Sequence, residues 1–339
     1  MNQHIGKQSM EFGAPPVLCA SAATGGKKET EGPLAPYFDI LNKDTKFRQD
    51  SWEKAESRMQ QETLRTALEK RKLTAADLDL VFAGDLLNQC IGSSFSLRDT
   101  GIPVLGLYGA CSTMAEGLCT AAMAVSGGFA RRAAVLTSSH FASSERQYRT
   151  PLGYGGQRTP TAQWTVTGSG CAILARAGSG PRILRATVGT IVDMGVTDAN
   201  NMGAAMAPAA YETIRAHLDD FSLSPEDYDL IVTGDLGRVG KSIVLDLFRR
   251  DGVTLDAVYD DCGTMIYDLQ KQDVHAGGSG CGCSGVVLCG YLLRRMAQKQ
   301  LNRLLFCGTG ALLSPTSTQQ GESIPAVCHA VSIFNEEVL

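Results

Sequence analysis

One stretch of this chain is written twice, and the duplication limits what it can fold into more than any other feature. Thr74-Ala75-Ala76-Asp77-Leu78-Asp79-Leu80-Val81-Phe82-Ala83-Gly84-Asp85-Leu86 returns as Ser224-Pro225-Glu226-Asp227-Tyr228-Asp229-Leu230-Ile231-Val232-Thr233-Gly234-Asp235-Leu236. The offset is constant, since 229 minus 79 and 235 minus 85 are both 150. Each copy reads as a capped turn, with Thr74 or Ser224 three residues before an aspartate, that delivers a short apolar strand ending in Gly-Asp-Leu. The helix ahead of it repeats as well, Leu64 and Leu68 being answered by Ile214 and Leu218. A repeat of this kind decides the architecture, because each unit must bury its apolar face against its copy.

The copy continues beyond Gly-Asp-Leu. Each half adds a short strand (102–105 and 257–259), a turn rich in cysteine and glycine (Gly109-Ala110-Cys111-Ser112-Thr113 and Gly280-Cys281-Gly282-Cys283-Ser284), a helix, and a closing strand (132–138 and 303–309). The helices that start at Cys111 and Ser284 carry small residues all round, as a helix enclosed on every side must. Two enclosed helices between two sheets predict an α/β fold, a tandem duplication packed as a five-layered α/β/α/β/α sandwich. The halves are read as 1–178 and 179–339. The first has a loop-rich lead over 1–48, with one strand near 17–21, and a polar loop inserted over 140–165. A long amphipathic helix opens at Asp50, through Trp52, Ala55, Met59, Leu64 and Leu68, and ends near Lys72.

Composition narrows the class further. Of 339 residues, 44% are apolar and 19% charged, a balance that suits buried parallel strands. A net charge of −4 argues against a nucleic-acid surface. No apolar run approaches the roughly 20 residues of a membrane span, and Met1-Asn2-Gln3-His4 lacks the apolar core of a signal peptide, so a cytoplasmic protein is expected. The eleven cysteines, an odd number spread through predicted strands and helices, read as reduced thiols. Only Cys281 and Cys283 stand close together, with no second pair or histidine at zinc-ligand spacing, so neither a metal site nor a cofactor is expected. Gly240-Lys241-Ser242 is not a phosphate-binding loop, because Asp235 occupies the place of its first glycine.

The chemistry concentrates at Cys111. A strand turning sharply into a helix sets this cysteine at a helix N-terminus, where unpaired N–H groups and the helix dipole favour a thiolate. Two readings compete there, a nucleophile and a buried structural thiol. His140 stands just past a predicted central strand, where ligands of α/β sheets bind, and reads equally as a satisfied core histidine. Arg146, Arg149 and Arg158 alternate with Gln147, Tyr148 and Tyr154, a composition suited to a flat, anionic, aromatic ligand, although charge runs are usually solvated faces.

A cysteine at a strand-helix turn in the first half, matched by a glycine-rich turn in the second, resembles the thiolase and ketoacyl synthase superfamily. That resemblance implies that Cys111 holds the position of the acyl-accepting nucleophile. Its enzymes also need an imidazole, with a second imidazole or an amide, from the second half. Here the His-Gln-Ala-Asn run reads approximately Gly234-Asp235-Leu236-Gly237, and the Gly-Asn-Thr-Ser run reads Gly277-Gly278-Ser279-Gly280, so both partners are replaced.

A further set of motifs spans the chain. Gly84-Asp85-Leu86-Leu87-Asn88-Gln89, Ser138-Ser139-His140 with Glu145-Arg146-Gln147, Tyr154-Gly155-Gly156-Gln157, Met206-Ala207-Pro208-Ala209-Ala210 and Gly310-Ala311-Leu312-Leu313-Ser314-Pro315 resemble the stage V sporulation AD family of spore-forming Firmicutes. This resemblance implies non-enzymatic binding of dipicolinic acid, pyridine-2,6-dicarboxylate, free or as its calcium chelate, for uptake into the developing spore and release at germination. It also implies synthesis in the forespore cytoplasm, a peripheral place at the spore inner membrane beside membrane proteins of the same operon, and a homodimer as in the related enzymes. The expected ligand-binding residues are Cys111, Asn88, His140, Arg146 and Arg149. The competing reading is a cysteine-dependent acyltransferase or ketoacyl-synthase-like condensing enzyme, with Cys111 as nucleophile and His140 or His275 as base.

Overall fold

The computed structural model describes residues 3–148 and 158–335. In it the written repeat becomes two five-stranded arrays of one design. The first half contributes β1 (Val17–Gly25), β2 (Leu80–Gly84), β3 (Val104–Gly106), β4 (Arg132–Ser139) and β5 (Gly168–Ala175), hydrogen-bonded in the order β3-β2-β4-β5-β1. The second contributes β6 (Arg182–Val188), β7 (Leu230–Thr233), β8 (Tyr259–Asp261), β9 (Arg303–Ala311) and β10 (Ala326–Phe334), in the matching order β8-β7-β9-β10-β6. Strand senses match too: β2 runs parallel to β3 and β4, as β7 does to β8 and β9, while β4–β5 and β9–β10 are antiparallel. The arrays join edge to edge through the pair Val17–Arg182, so the ladder is continuous.

The two copies are seated by the same polar devices. Thr74 with Asp77, and Ser224 with Asp227, each form a complete capping box. Asp79 then accepts from the Arg131 and Arg132 amides, and Asp229 from those of Asn302 and Arg303, tying each short strand to its parallel neighbour. Both jobs need a short acidic side chain at a fixed step before the strand, which is why the sequence repeats there.

Helices α3 (Thr113–Ser126) and α7 (Cys281–Val286) form the central layer, α3 touching strands of both arrays. Met114, Leu118, Ala121, Ala122 and Val125 have no exposed surface, and every residue of α7 is buried. Small residues let this helix meet the sheet at close range: a Cβ on Gly170 of β5 would stand 2.4 Å from the Gly285 backbone. Outside the first array lie α1 (Trp52–Glu69) and α2 (Ile91–Leu97); outside the second lie α5 (Met202–Phe221) and α6 (Gly237–Arg250). The layers are therefore α/β/α/β/α.

Three local expectations need correction. The cap of α1 is Ser51, whose side chain accepts from the Lys54 amide at 3.3 Å, rather than Asp50. The lead over 1–48 holds all nine residues of β1, and Ser9–Glu11 pairs with β6. The polar stretch after residue 140 begins as a helix, α4 (Phe141–Tyr148), because Ser143, Ser144 and Glu145 find buried surroundings on one of its faces. Among the described residues no helix is long and apolar enough to cross a membrane.

Candidate functional site

A sharp elbow joins β3 to α3. Ala110 is held at φ 51°, a left-handed conformation that non-glycine residues rarely take, and a single 3₁₀ turn, Ala110–Ser112, leads directly into the helix. Gly84 permits the close approach, since a Cβ there would stand 2.2 Å from the Leu107 carbonyl oxygen. The elbow delivers Cys111, 6% exposed, to the carboxyl ends of β2 and β4. Open α/β sheets present ligands at that end.

Above Cys111 lies a cavity of about 80 Å³, several times the space one water occupies. Leu86, Met202 and Leu313 supply apolar wall; Ser144, Glu145, Tyr148, Thr165 and Ser279 supply polar groups. The Ser144 hydroxyl is buried and has no hydrogen-bond partner. Among the described lining residues there is no lysine, arginine or histidine.

The cysteine's partner is a carboxylate. Its Sγ lies 4.0 Å from Ser279 Oγ, which in turn donates to the Asp235 carboxyl, a group with no exposed surface. Asp235 also accepts from the Gly280 amide at 2.7 Å, Ser279 Oγ at 3.1 Å and Thr309 Oγ1 at 3.0 Å. Burial raises the Asp235 carboxyl, and these donors oppose the rise. For Cys111, burial first and then the charge and hydrogen bond of Asp235 push the thiol well above its usual range. Burial and the neighbouring Asp235 both disfavour the thiolate, so Cys111 is a thiol.

Asp235 is free for this contact because its repeat mate works differently. Asp85 caps its own turn, accepting from the amides of Leu87 and Ser93. In the second half the turn amides of Leu236 and Gly237 are taken by Asp261 instead, leaving Asp235 to Ser279, Gly280 and Thr309. Asp85 faces a second buried carboxyl, Glu56, which receives the hydroxyls of Ser138 and Ser143.

The expected ligand residues do not converge. Of those among the described residues, Cys111 alone lines the cavity. Asn88 reaches only its rim: the Tyr108 hydroxyl stands 3.2 Å from both Asn88 Oδ1 and the hydroxyl of Tyr148, a lining residue. His140 lines a separate groove; its Nε2 donates to the Thr45 carbonyl at 2.7 Å, its Nδ1 accepts from the Ala142 amide, and burial lowers its pKa. His140 precedes α4 while Ser144 lies within it, so the two side chains reach different surroundings although four positions apart. Arg146 pairs with Glu53 and lies over the Trp52 ring. Arg149, with Tyr154 and Gln157, lies outside the described residues. His275 is bound to Asp273 and the Thr159 carbonyl. Lys241 is spent on Asp260, at 2.7 Å.

Sequence reasoning missed Ser144, Glu145, Met202, Ser279 and Leu313 as lining groups, and Asp235 as the cysteine's partner. Only Asp235 carried a signal, since an acid repeated at the position of an absent imidazole needs a new role.

Comparison with known proteins places these features in a lineage. Residues 6–334 match the family described as Stage V sporulation protein AD. The stage V sporulation protein AD of Bacillus subtilis (strain 168) is 45% identical over 326 residues, covering 96% of each chain. Among solved structures, 3-oxoacyl-[acyl-carrier-protein] synthase III from Aquifex aeolicus VF5 superposes with a TM-score of 0.57 at 11% identity, covering 94% of this chain and 99% of that one. A variant of OleA from Xanthomonas campestris reaches 0.61 at 15% identity, covering 96% and 98%. At these identities the condensing enzymes share the thiolase-like fold, and the likeness extends no further.

Proposed function

The chain belongs to the stage V sporulation protein AD family, and on that premise we propose that it is a binding protein for dipicolinic acid, taken as the calcium chelate in the cavity above Cys111, and not an acyltransferase. The observation that carries this reading is Asp235. A nucleophilic cysteine needs a neighbour that accepts its proton and stabilises the thiolate. Burial and the Asp235 carboxyl do the opposite, holding the thiol protonated, while Asp235 occupies the amide of Gly280. The site thus disfavours a thiolate.

The acid group in the cavity wall also bears on the form of the ligand. Free dipicolinate carries two negative charges, and it would meet the Glu145 carboxyl with no lysine or arginine among the described lining residues. Repulsion in a poorly solvated cavity is costly. The one-to-one calcium chelate is neutral and keeps a planar aromatic body for the walls of Leu86, Met202 and Leu313. The unpartnered Ser144 hydroxyl and Ser279 offer it hydrogen bonds. Loading of the developing spore and release at germination, from a peripheral place at the inner membrane beside membrane proteins of the same operon, complete the reading.

A homodimer belongs to the same proposal. The edge strand β3 leaves its outer side unpaired, with Val104 41% and Leu105 52% exposed, and Phe95 and Tyr108 exposed beside it. An exposed apolar edge of this kind is normally covered.

Calorimetry with the calcium chelate, with calcium-free dipicolinate and with benzoate tests the ligand assignment. Saturable binding of the chelate, weakened when Ser144→Phe fills the cavity, is expected; no heat with any of the three would end the reading. Incubation with acyl-CoA followed by intact-mass measurement tests the alternative. A stable acyl adduct that disappears in Cys111→Ala would establish the acyltransferase.

A further inference from the structure

Both tryptophans of the chain, 112 positions apart (164 minus 52), line one groove of about 440 Å³ that is separate from the Cys111 cavity. Its walls are Trp52 on one side and Trp164 with Phe141 on the other, the latter two rings stacked at 3.9 Å and 10°. Lys27 and Lys28 stand at its mouth and the buried His140 at its floor. Lys28 Nζ lies 4.1 Å from the Trp164 centroid and makes one hydrogen bond, to the Asp273 carbonyl, out of the three an ammonium can donate. Glu31 is the exposed acid of the lining.

The floor holds a second unspent group. Glu29 is 1% exposed; its Oε1 accepts from Tyr267 and from the Thr167 amide, while Oε2 has no partner. A buried polar atom in this state costs free energy unless something completes it. Burial raises this carboxyl to about 7, so near neutrality a large share is the uncharged acid, able to donate to an anion.

We infer that this groove is a second binding site, and that it takes an aromatic carboxylate in its free anionic form. The assignment follows from the combination. Trp164 is covered by Phe141 on one face and by Lys28 and Arg158 on the other, so Trp52 and Phe141 are the rings that meet a flat ring; Lys27 and Lys28 meet a carboxylate with unspent donors, and Oε2 of Glu29 offers a further hydrogen bond from inside. Inorganic anions would use the lysines but gain nothing from the rings. The inference shares with the proposed function only its ligand class; the Cys111 cavity, hostile to a dianion, plays no part in it.

Both indoles line this groove, so tryptophan fluorescence reports it directly; Thr165, next to Trp164, lines the cavity, and the Lys28 variant assigns the signal to the groove. The full chain is titrated with calcium-free dipicolinate, with inorganic phosphate as control, the fluorescence being excited at the red edge of the indole band. Saturable quenching by dipicolinate is expected, weakened roughly ten-fold or more in Lys28→Glu, the loss of one charge-assisted hydrogen bond. Trp164→Phe keeps the stacked wall and should keep calorimetric binding while losing part of the signal. This second variant keeps the proposal testable if the first folds poorly. No quenching, quenching unchanged in Lys28→Glu, or equal quenching by phosphate would each overturn the assignment. Calorimetric binding of the calcium chelate without quenching would leave the proposed function standing and remove this site alone.

Discussion

At the scale of residues, the decisive feature is a pair of buried acids used in opposite ways. Asp235 makes Cys111 unreactive, and its removal should show this directly. In Asp235→Asn the negative charge beside the sulfur is gone, so the thiol pKa falls and alkylation of Cys111 near pH 8 should accelerate about ten-fold or more. Peptide mapping after iodoacetamide treatment measures it, and an unchanged rate would refute the role given to Asp235. Glu56 governs a different property. Burial, and then the nearby charge of Asp85, raise its carboxyl from 4.5 to about 8, while burial takes Glu29 and Asp261 to about 7. Each therefore holds its proton in the folded chain to a higher pH than in the unfolded one. These carboxyls bind more protons in the folded state between about 4.5 and 8, so their contribution falls as pH rises, while the buried His140, His217 and His329, whose pKa burial lowers from 6.5, oppose the fall in the lower part of that window. The thermal midpoint should drop between about pH 6.5 and pH 8, by an amount on the order of a few kcal/mol in stability. Glu56→Gln should flatten the slope; a variant as pH-sensitive as the parent would show that other groups carry it.

At the scale of elements, the close meeting of α7 with β5 sets how near this central helix can come to the first array. Gly170 cannot gain a side chain without moving backbone, because the Cβ of an alanine there would overlap the Gly285 carbonyl at 2.4 Å, while a Cβ on Gly285 would meet the Thr137 hydroxyl at 2.7 Å. Gly170→Ala should cost about 2–3 kcal/mol, read from denaturant midpoints. Gly128→Ala serves as the comparison, having open space but a φ of 81°, and should cost less, about 1 kcal/mol. The elbow at Ala110 and the exchange of turn-capping duty from Asp235 to Asp261 are also decisions of elements. They explain why two turns written alike do different work.

At the scale of the whole molecule, the proposed dimer through β3 is open to a simple measurement. Light scattering should give twice the chain mass, and Leu105→Lys, which places a charge on the exposed edge, should give the monomer with an unchanged thermal midpoint. A monomeric parent chain would remove this part of the proposal. The five layers themselves were legible, because the constant offset from Asp79 to Asp229 and from Asp85 to Asp235 marks two copies of one unit, and the all-round small residues of 113–126 mark an enclosed helix. The elbow at Cys111 was legible for the same reason, as a short apolar run, glycines and a helix in sequence. The convergence of ligand residues was not legible: His140 and Ser144 are four positions apart yet serve different spaces, since His140 precedes the first residue of α4 and its side chain does not follow the helix's faces.

What the sequence alone determined, then, is the local and the repeated: caps, strands, the order of elements, and the position of a cysteine at a helix start. These follow from backbone preferences and periodic burial, which act over a few residues. Only the tertiary structure decided what faces Cys111. Asp235 is brought there through Ser279, Gly280 and Thr309, which stand 44, 45 and 74 positions away. A thiol's chemistry is set by the charges and dielectric within a few ångströms of it, and chain order does not record that distance.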